Sequence, residues 1–138
     1  IAEIDEAVEA AREAGCKDLV LLKCTSSYPA PPENSNLANI PHMAAMFDCP
    51  VGFSDHTLGI GVAVAAAALG AVVIEKHFTF SRDEGGVDAA FSSEPDELAA
   101  MVRETARAAV AFGKVRYGPT EADARSLQFR RSLYVVQD

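Results

Sequence analysis

No run in this chain is long and apolar enough to suggest a membrane span. The longest apolar run, Gly59 to Ile74, lacks charge but is mostly alanine and glycine, and it falls short of the roughly 20 strongly apolar residues a span needs. No signal-peptide pattern opens the chain either, since residues 1–14 already carry helical periodicity. Cysteine is scarce: Cys16, Cys24 and Cys49 are too few and too irregularly spaced for a disulfide framework or a zinc knuckle. They are expected to be reduced, mostly buried thiols of a cytoplasmic protein. Positive charge is scarce as well. Twelve Lys and Arg face 20 Asp and Glu, a net charge of −8, which argues against nucleic acid as a partner because phosphate backbones select basic surfaces. An anionic small molecule stays compatible, since a few lysines and serines in a cleft, or a bound metal, reverse the field locally.

What is present is an ordinary globular composition. Of 138 residues, 49% are apolar and 23% charged, enough for one domain with a core. Ile1, Ile4, Val8, Ala11 and Ala14 recur at helical spacing, and Gly15 stops the pattern. Leu19 to Cys24 reads as a short strand buried on both faces. The proline-rich stretch Tyr28 to Asn36 is a loop. Leu37 to Phe47 reads as a helix with Pro41 in its first turn, and His42 inside it takes a structural reading. Val51 to Ser54 is a second strand, Gly59 to Leu69 an alanine-rich helix, and Val72 to Phe78 a third strand. A polar loop, Thr79 to Ser93, leads to a helix opened by Pro95, with Leu98, Met101, Val102, Thr105, Ala109 and Phe112 on one stripe.

Helices alternate with strands and no hairpin signal intervenes, so the sheet is parallel and the class α/β. No Gly-x-Gly-x-x-Gly turn follows any strand, which removes the usual support for a dinucleotide-binding open sheet. The remaining architecture is a (β/α)₈ barrel, which takes about 250 residues, so three βα units would form its C-terminal half. Residues 114–138 change character, with a turn at Tyr117 to Thr120, a charged stretch at Glu121 to Arg131, and the start of a strand at Ser132 to Val136. The chain reads as cut from something longer.

Polar residues gather at the C-terminal ends of the three strands: Lys23, Thr25 and Ser26; Ser54, Asp55 and His56; Glu75, Lys76 and His77. Parallel α/β folds carry ligands on that edge. Side chains alternate along a strand, so Ser54 shares a face with His56, and Glu75 with His77. If that face is a barrel lumen, both imidazoles converge. Each alone would read as a hydrogen-bonded structural histidine. Together they form a partial ligand set for manganese, iron, cobalt or zinc, with Asp55 and Glu75 as candidates to orient an imidazole or a metal-bound water. Both readings stand on the residues alone.

The stretches Leu22-Lys-Cys-Thr-Ser-Ser-Tyr-Pro-Ala-Pro31, Gly52-Phe-Ser-Asp-His-Thr57, Val73-Ile-Glu-Lys-His-Phe-Thr79 and Gly85-Gly-Val-Asp-Ala-Ala-Phe-Ser92, followed by Glu94-Pro95-Asp96, resemble the nonulosonate (sialic acid) synthases over nearly the whole chain. The resemblance implies a (β/α)₈ barrel, here its C-terminal half over residues 1–113, with residues 114–138 a linker toward an absent antifreeze-like (SAF) domain. It implies a cytoplasmic homodimeric transferase that condenses phosphoenolpyruvate with an open-chain N-acetylated amino sugar. It also implies that His56 and His77 bind a divalent metal, Mn²⁺ or Mg²⁺, and that Glu75 lies close to the reacting centre. Ser54 would hold phosphoenolpyruvate, Tyr28 and Asp88 would contact the sugar, and Lys23 and Ser26 would complete the substrate-binding set. Ser26 stands where sialic acid synthases proper have an asparagine.

The loop Gly85 to Ser92 and the segment Cys24 to Tyr28 resemble the pseudaminic acid synthases more than the N-acetylneuraminate synthases, with legionaminate synthase as a further alternative. Two other classes compete: an inert barrel fragment that only associates, and a metal-dependent hydrolase of another barrel family, which would need a third strand-end ligand. The family's essential glutamate and phosphoenolpyruvate-binding lysines belong to strands this chain does not contain.

Overall fold

The structure is a computed structural model that describes residues 1–132, 136 and 137. Three parallel strands, β1 (Leu21–Cys24), β2 (Val51–Asp55) and β3 (Ile74–Lys76), form one sheet in the order β1-β2-β3. Around them lie α1 (Ala2–Glu13), α2 (Asn39–Phe47), α3 (Gly61–Ala68), α4 (Pro95–Phe112) and the short α5 (Ala124–Leu127). Single 3-10 turns occupy Pro32–Asn34, Arg82–Glu84 and Ala89–Phe91. The α/β alternation and the parallel sheet are as the sequence predicts.

The core occupies one face of the sheet. Val51 and Phe53 from β2 pack with Ile40 of α2 and Ala66 of α3, all buried, and Leu21, Met43 and Ile74 close around them. The alanines of α3 let its backbone approach both β2 and α4 closely, since a methyl group is the only spacer. Gly59, at φ +73°, turns the chain in a conformation that other residues rarely adopt, and α3 therefore begins at Gly61 rather than at Gly59. The opposite face is narrow at its centre. A Cβ added at Gly52 would lie 2.6 Å from Leu22 Cδ2 and 2.6 Å from the Val73 carbonyl oxygen.

Two strands are shorter than the apolar runs suggest. Both outer strands pair only with β2, so neither ladder can outrun its five residues. Hydrogen bonding to β2 does begin earlier in the third strand: Val72 N donates to Val51 O at 3.0 Å and Phe53 N to Val73 O at 2.9 Å. The outer edges of β1 and β3 are unpaired among the described residues. Apolar grooves of about 340 Å³ run beside them, one lined by Ile4, Val8, Leu19 and Leu21, the other by Ala71, Ile74, Met101 and Val102. The stripe on α4 is accordingly covered only in part: Met101 is buried, whereas Val102 and Phe112 are exposed.

The cysteines depart from expectation. All three are free, but Cys16 and Cys24 are exposed and Cys49 is half-buried. Cys16 follows α1 in a turn, and Cys24 ends β1 on the face that carries no helix. His42 is exposed on α2. Residues 114–132 are exposed throughout, and the strand expected at Ser132 to Val136 falls mainly outside the described residues.

Candidate active site at the C-terminal strand ends

The site is built in rows across the sheet. Parallel register aligns Leu22 with Gly52, and Cys24 with Ser54 and Glu75. Residues in one row share a face, and this row points away from the core. Ser54 Oγ donates to Glu75 Oε1 at 2.6 Å. His56 and His77 follow Ser54 and Glu75 by two residues and stand in the next row. Their ring centroids are 5.2 Å apart with the planes inclined at 65°.

A hydrogen bond to the main chain sets the tautomer of His56. His56 Nδ1 lies 2.9 Å from the Thr25 carbonyl oxygen. A carbonyl only accepts, so Nδ1 carries the proton and Nε2 keeps its lone pair. His77 Nδ1 lies 3.5 Å from Asp88 Oδ2, an ionic-range contact with a half-exposed carboxylate rather than a hydrogen bond. His56 is thus held from behind and presents an open nitrogen, the arrangement that metal-bound histidines use, and Asp88 stands behind His77 as a carboxylate neighbour. The donor set therefore fits two positions around a divalent metal. Among the described residues no group of three His, Cys, Asp or Glu side chains is gathered to hold one alone.

Aromatic groups close the site. The Tyr28 ring lies 4.3 Å from that of His56, and Phe91 lies 5.0 Å from His77 and 5.6 Å from Tyr28. Asp88 and Phe91 arrive from a loop that long-range bonds fold back onto β3. Ser93 N donates to His77 O at 2.8 Å, and Thr79 N to Ser93 O at 3.0 Å. Arg82 Nε donates to Ser92 O at 3.0 Å, while its guanidinium pairs with Glu94 and Glu97 at the start of α4. Ser92 Oγ donates to the Asp88 carbonyl at 2.7 Å.

The structure thus brings together His56, His77, Ser54, Glu75, Tyr28 and Asp88. It does not bring Lys23 to them. Lys23 pairs in register with Phe53, whose side chain fills the core, so it points to the other face. Its Nζ donates to the Cys24 carbonyl at 2.8 Å and to Thr25 Oγ1 at 3.0 Å. Burial pushes this amine below its ordinary value of 10.5, with the neighbouring Cys24 opposing the shift. Ser26 is exposed in the loop after β1.

Asp55 also differs from expectation. It does not orient an imidazole, because alternation turns it to the back of the sheet. There its Oδ2 meets Lys76 Nζ at 2.8 Å, with both side chains almost wholly buried. The groups that stand behind the rings, the Thr25 carbonyl and Asp88, are not legible as such. A backbone carbonyl leaves no mark in the sequence, and Asp88 reaches His77 only through loop folding. Phe91 and Lys76 were missed as well, although alternation alone would have paired Lys76 with Asp55.

A model of the NeuB family matches residues 1–117. The chain belongs to the NeuB family. A pseudaminic acid synthase of Campylobacter jejuni is 40% identical over 136 residues, covering 99% of this chain and 40% of that protein. An N,N'-diacetyllegionaminic acid synthase of the same species is 36% identical over 141 residues, covering all of this chain and 42% of the relative. A crystal structure of an N-acetylneuraminic acid (sialic acid) synthetase from Leptospira borgpetersenii, in complex with citrate, superposes with a TM-score of 0.82 at 36% identity, over 96% of this chain and 46% of that one. The chain therefore spans less than half the length of these relatives, and its three βα units are part of a NeuB barrel. No helix among the described residues is long and apolar enough to cross a membrane.

Proposed function

We propose that the full-length protein carrying this chain condenses phosphoenolpyruvate with an open-chain N-acetylated amino sugar, giving a nine-carbon nonulosonic acid and phosphate. The favoured product is of the pseudaminic acid type, made from a diacetamido-trideoxy hexose. The observation that carries the reading is the pair of imidazoles, His56 and His77, 5.2 Å apart beside the Ser54–Glu75 pair, with His56 held at Nδ1 by the Thr25 carbonyl and His77 next to Asp88. Membership of a family whose named relatives are nonulosonate synthases supports it.

In this reading the C3 methylene of phosphoenolpyruvate attacks the sugar aldehyde, water adds at C2, and phosphate leaves. A divalent metal, Mn²⁺ or Mg²⁺, held by His56 and His77 would supply Lewis-acid polarisation of the aldehyde. Ser54 binds phosphoenolpyruvate, its hydroxyl already oriented by Glu75. The second oxygen of Glu75 is left to exchange a proton with the aldehyde oxygen or with the water that adds at C2. Tyr28 and Asp88 border the sugar, and Phe91 helps to exclude water from that side. Ser26 is assigned to the substrate as well. Lys23 has its amine turned to the other face of the sheet, so we give it no substrate contact. Residues 114–138 would link to an SAF domain, and the whole protein would be a cytoplasmic homodimer. The chain by itself would be inert, because most of a barrel site lies elsewhere.

The deciding experiment measures phosphate release by the full-length protein from phosphoenolpyruvate with a diacetamido-trideoxy hexose or N-acetylmannosamine, with and without Mn²⁺. His56→Ala and His77→Ala are each expected to slow release by at least about 100-fold, the least that several kcal/mol of Lewis-acid stabilisation implies. Release that survives both substitutions would overturn the metal assignment. A preference for N-acetylmannosamine would overturn the pseudaminic assignment.

A further inference from the structure

Behind the histidines lies a buried polar cluster that the proposed reaction does not use. Asp55 and Lys76 are register partners at the ends of β2 and β3, and each immediately precedes one of the histidines. Their side chains are 0% and 2% exposed and meet at 2.8 Å. Asp55 Oδ1 accepts from Thr57 N at 2.9 Å and from Thr57 Oγ1 at 2.8 Å. Lys76 Nζ also donates to the Thr57 carbonyl at 2.6 Å. The cluster therefore grips the residues on both sides of His56 and ties them to the residue before His77.

The two histidine main chains are pinned from the front as well. Ala30 N donates to His56 O, and Ser93 N to His77 O, each at 2.8 Å. Burying an ion pair is costly, and an apolar pair of similar volume often serves stability as well or better. What an apolar pair does not do is fix direction: four hydrogen bonds of defined geometry set one rotation for the loop after β2.

We propose that Asp55, Thr57 and Lys76 are positioning residues that set the orientation of His56 relative to His77. The inference rests on the metal reading above only for its functional consequence. It predicts that loosening the cluster releases the His56 ring from the Thr25 carbonyl, so that its tautomers mix and metal affinity falls. A merely structural role predicts lower thermal stability with the ring and the affinity unchanged.

The test uses the full-length protein with Thr57→Val, Thr57→Ser, Lys76→Met and the double variant Asp55→Asn/Lys76→Met. Thr57→Val keeps the shape and removes one bond, Thr57→Ser restores it, and the double variant avoids leaving a single buried charge. Ring nitrogen spectra of labelled histidine in metal-free protein report the His56 tautomer. Titration with Co²⁺, followed by its visible absorption, reports affinity. Thr57→Val, Lys76→Met and the double variant are expected to mix the His56 tautomers and weaken Co²⁺ binding by roughly tenfold, and Thr57→Ser to match the parent. Folded Thr57→Val and double variants with the parent's ring spectrum and Co²⁺ affinity would overturn the inference. A parent that takes up no Co²⁺ would sink the metal reading, and the ring spectra would then decide the positioning role by themselves.

Discussion

At the strand ends of this sheet, adjacent residues stand back to back in opposite environments. On the front, Glu75 is exposed and His77 half-buried, while Tyr28 is 55% exposed. On the back, the side chains of Asp55 and Lys76 are sealed from solvent. One step along the chain separates a group that can meet a ligand from a group that can meet only protein. Substitutions in the core on the back should therefore register in stability and those on the front in chemistry, with the Asp55–Thr57–Lys76 cluster as the link through which the back reaches His56.

The largest expected effect tests the back. Phe53 is 1% exposed at the centre of the core, and Phe53→Ala should cost about 3–5 kcal/mol, read as a shift in denaturant midpoint. A loss below about 1 kcal/mol would show that the core collapses around the gap, contrary to the usual cavity behaviour.

Glu75→Gln tests the front. Its partner Ser54 is buried, but glutamine keeps an acceptor oxygen for the Ser54 hydroxyl, so stability should change by less than about 1 kcal/mol. Turnover should fall by roughly 100-fold or more if Glu75 handles a proton. A stability loss with normal turnover would reverse the comparison at this position.

Gly52 stands on the front face two residues before Ser54, but in a packed stretch, so it should respond in stability and at an intermediate level. A methyl group there meets Leu22 and the Val73 carbonyl at 2.6 Å. Gly52→Ala should cost about 1–3 kcal/mol because a backbone carbonyl cannot swing aside as a side chain can. Thermal melts measure it directly, and an unchanged Tm would mean that β1 or β3 shifts outward to make room.

How much of this was legible follows from where the determining contacts lie. The order of strands and helices could be read because buried parallel strands are continuous apolar runs and Pro95 and Gly70 punctuate the helices. The histidine pair could be located from alternation alone. Alternation also contained the true positions of Lys23 and Asp55, but grouping polar residues by strand end overrode it. Lys23 shares its row with core Phe53, and a polar residue at a strand end need not face the ligand. The Thr25 carbonyl and the return of Asp88 to His77 depend on tertiary hydrogen bonds made by Arg82, Ser92 and Ser93, and no local pattern encodes those.

The smallest expected effect concerns how that returning loop is anchored. The Glu97 carboxyl is held below its ordinary value of 4.5, chiefly by the backbone N–H of Glu94 and then by the Arg82 guanidinium, with desolvation opposing. A carboxyl whose folded pKa is depressed stabilises the folded state fully above the unfolded value, and this contribution disappears as pH falls through the lowered folded pKa. Glu97→Gln keeps an oxygen for the Glu94 N–H, as glutamine also serves a capping box, but loses the charge that Arg82 meets. Both side chains of that pair are more than 30% exposed (33% and 40%), so the ionic part is worth at most about 1 kcal/mol. Thermal melts should therefore place Glu97→Gln slightly below the parent at neutral pH, with the gap closing as pH drops below 4.5. Because Arg82 also holds Ser92 and Glu94, the site should keep its geometry through that loss. A fall in turnover at neutral pH that exceeds the small stability change would instead make this exposed anchor part of the front.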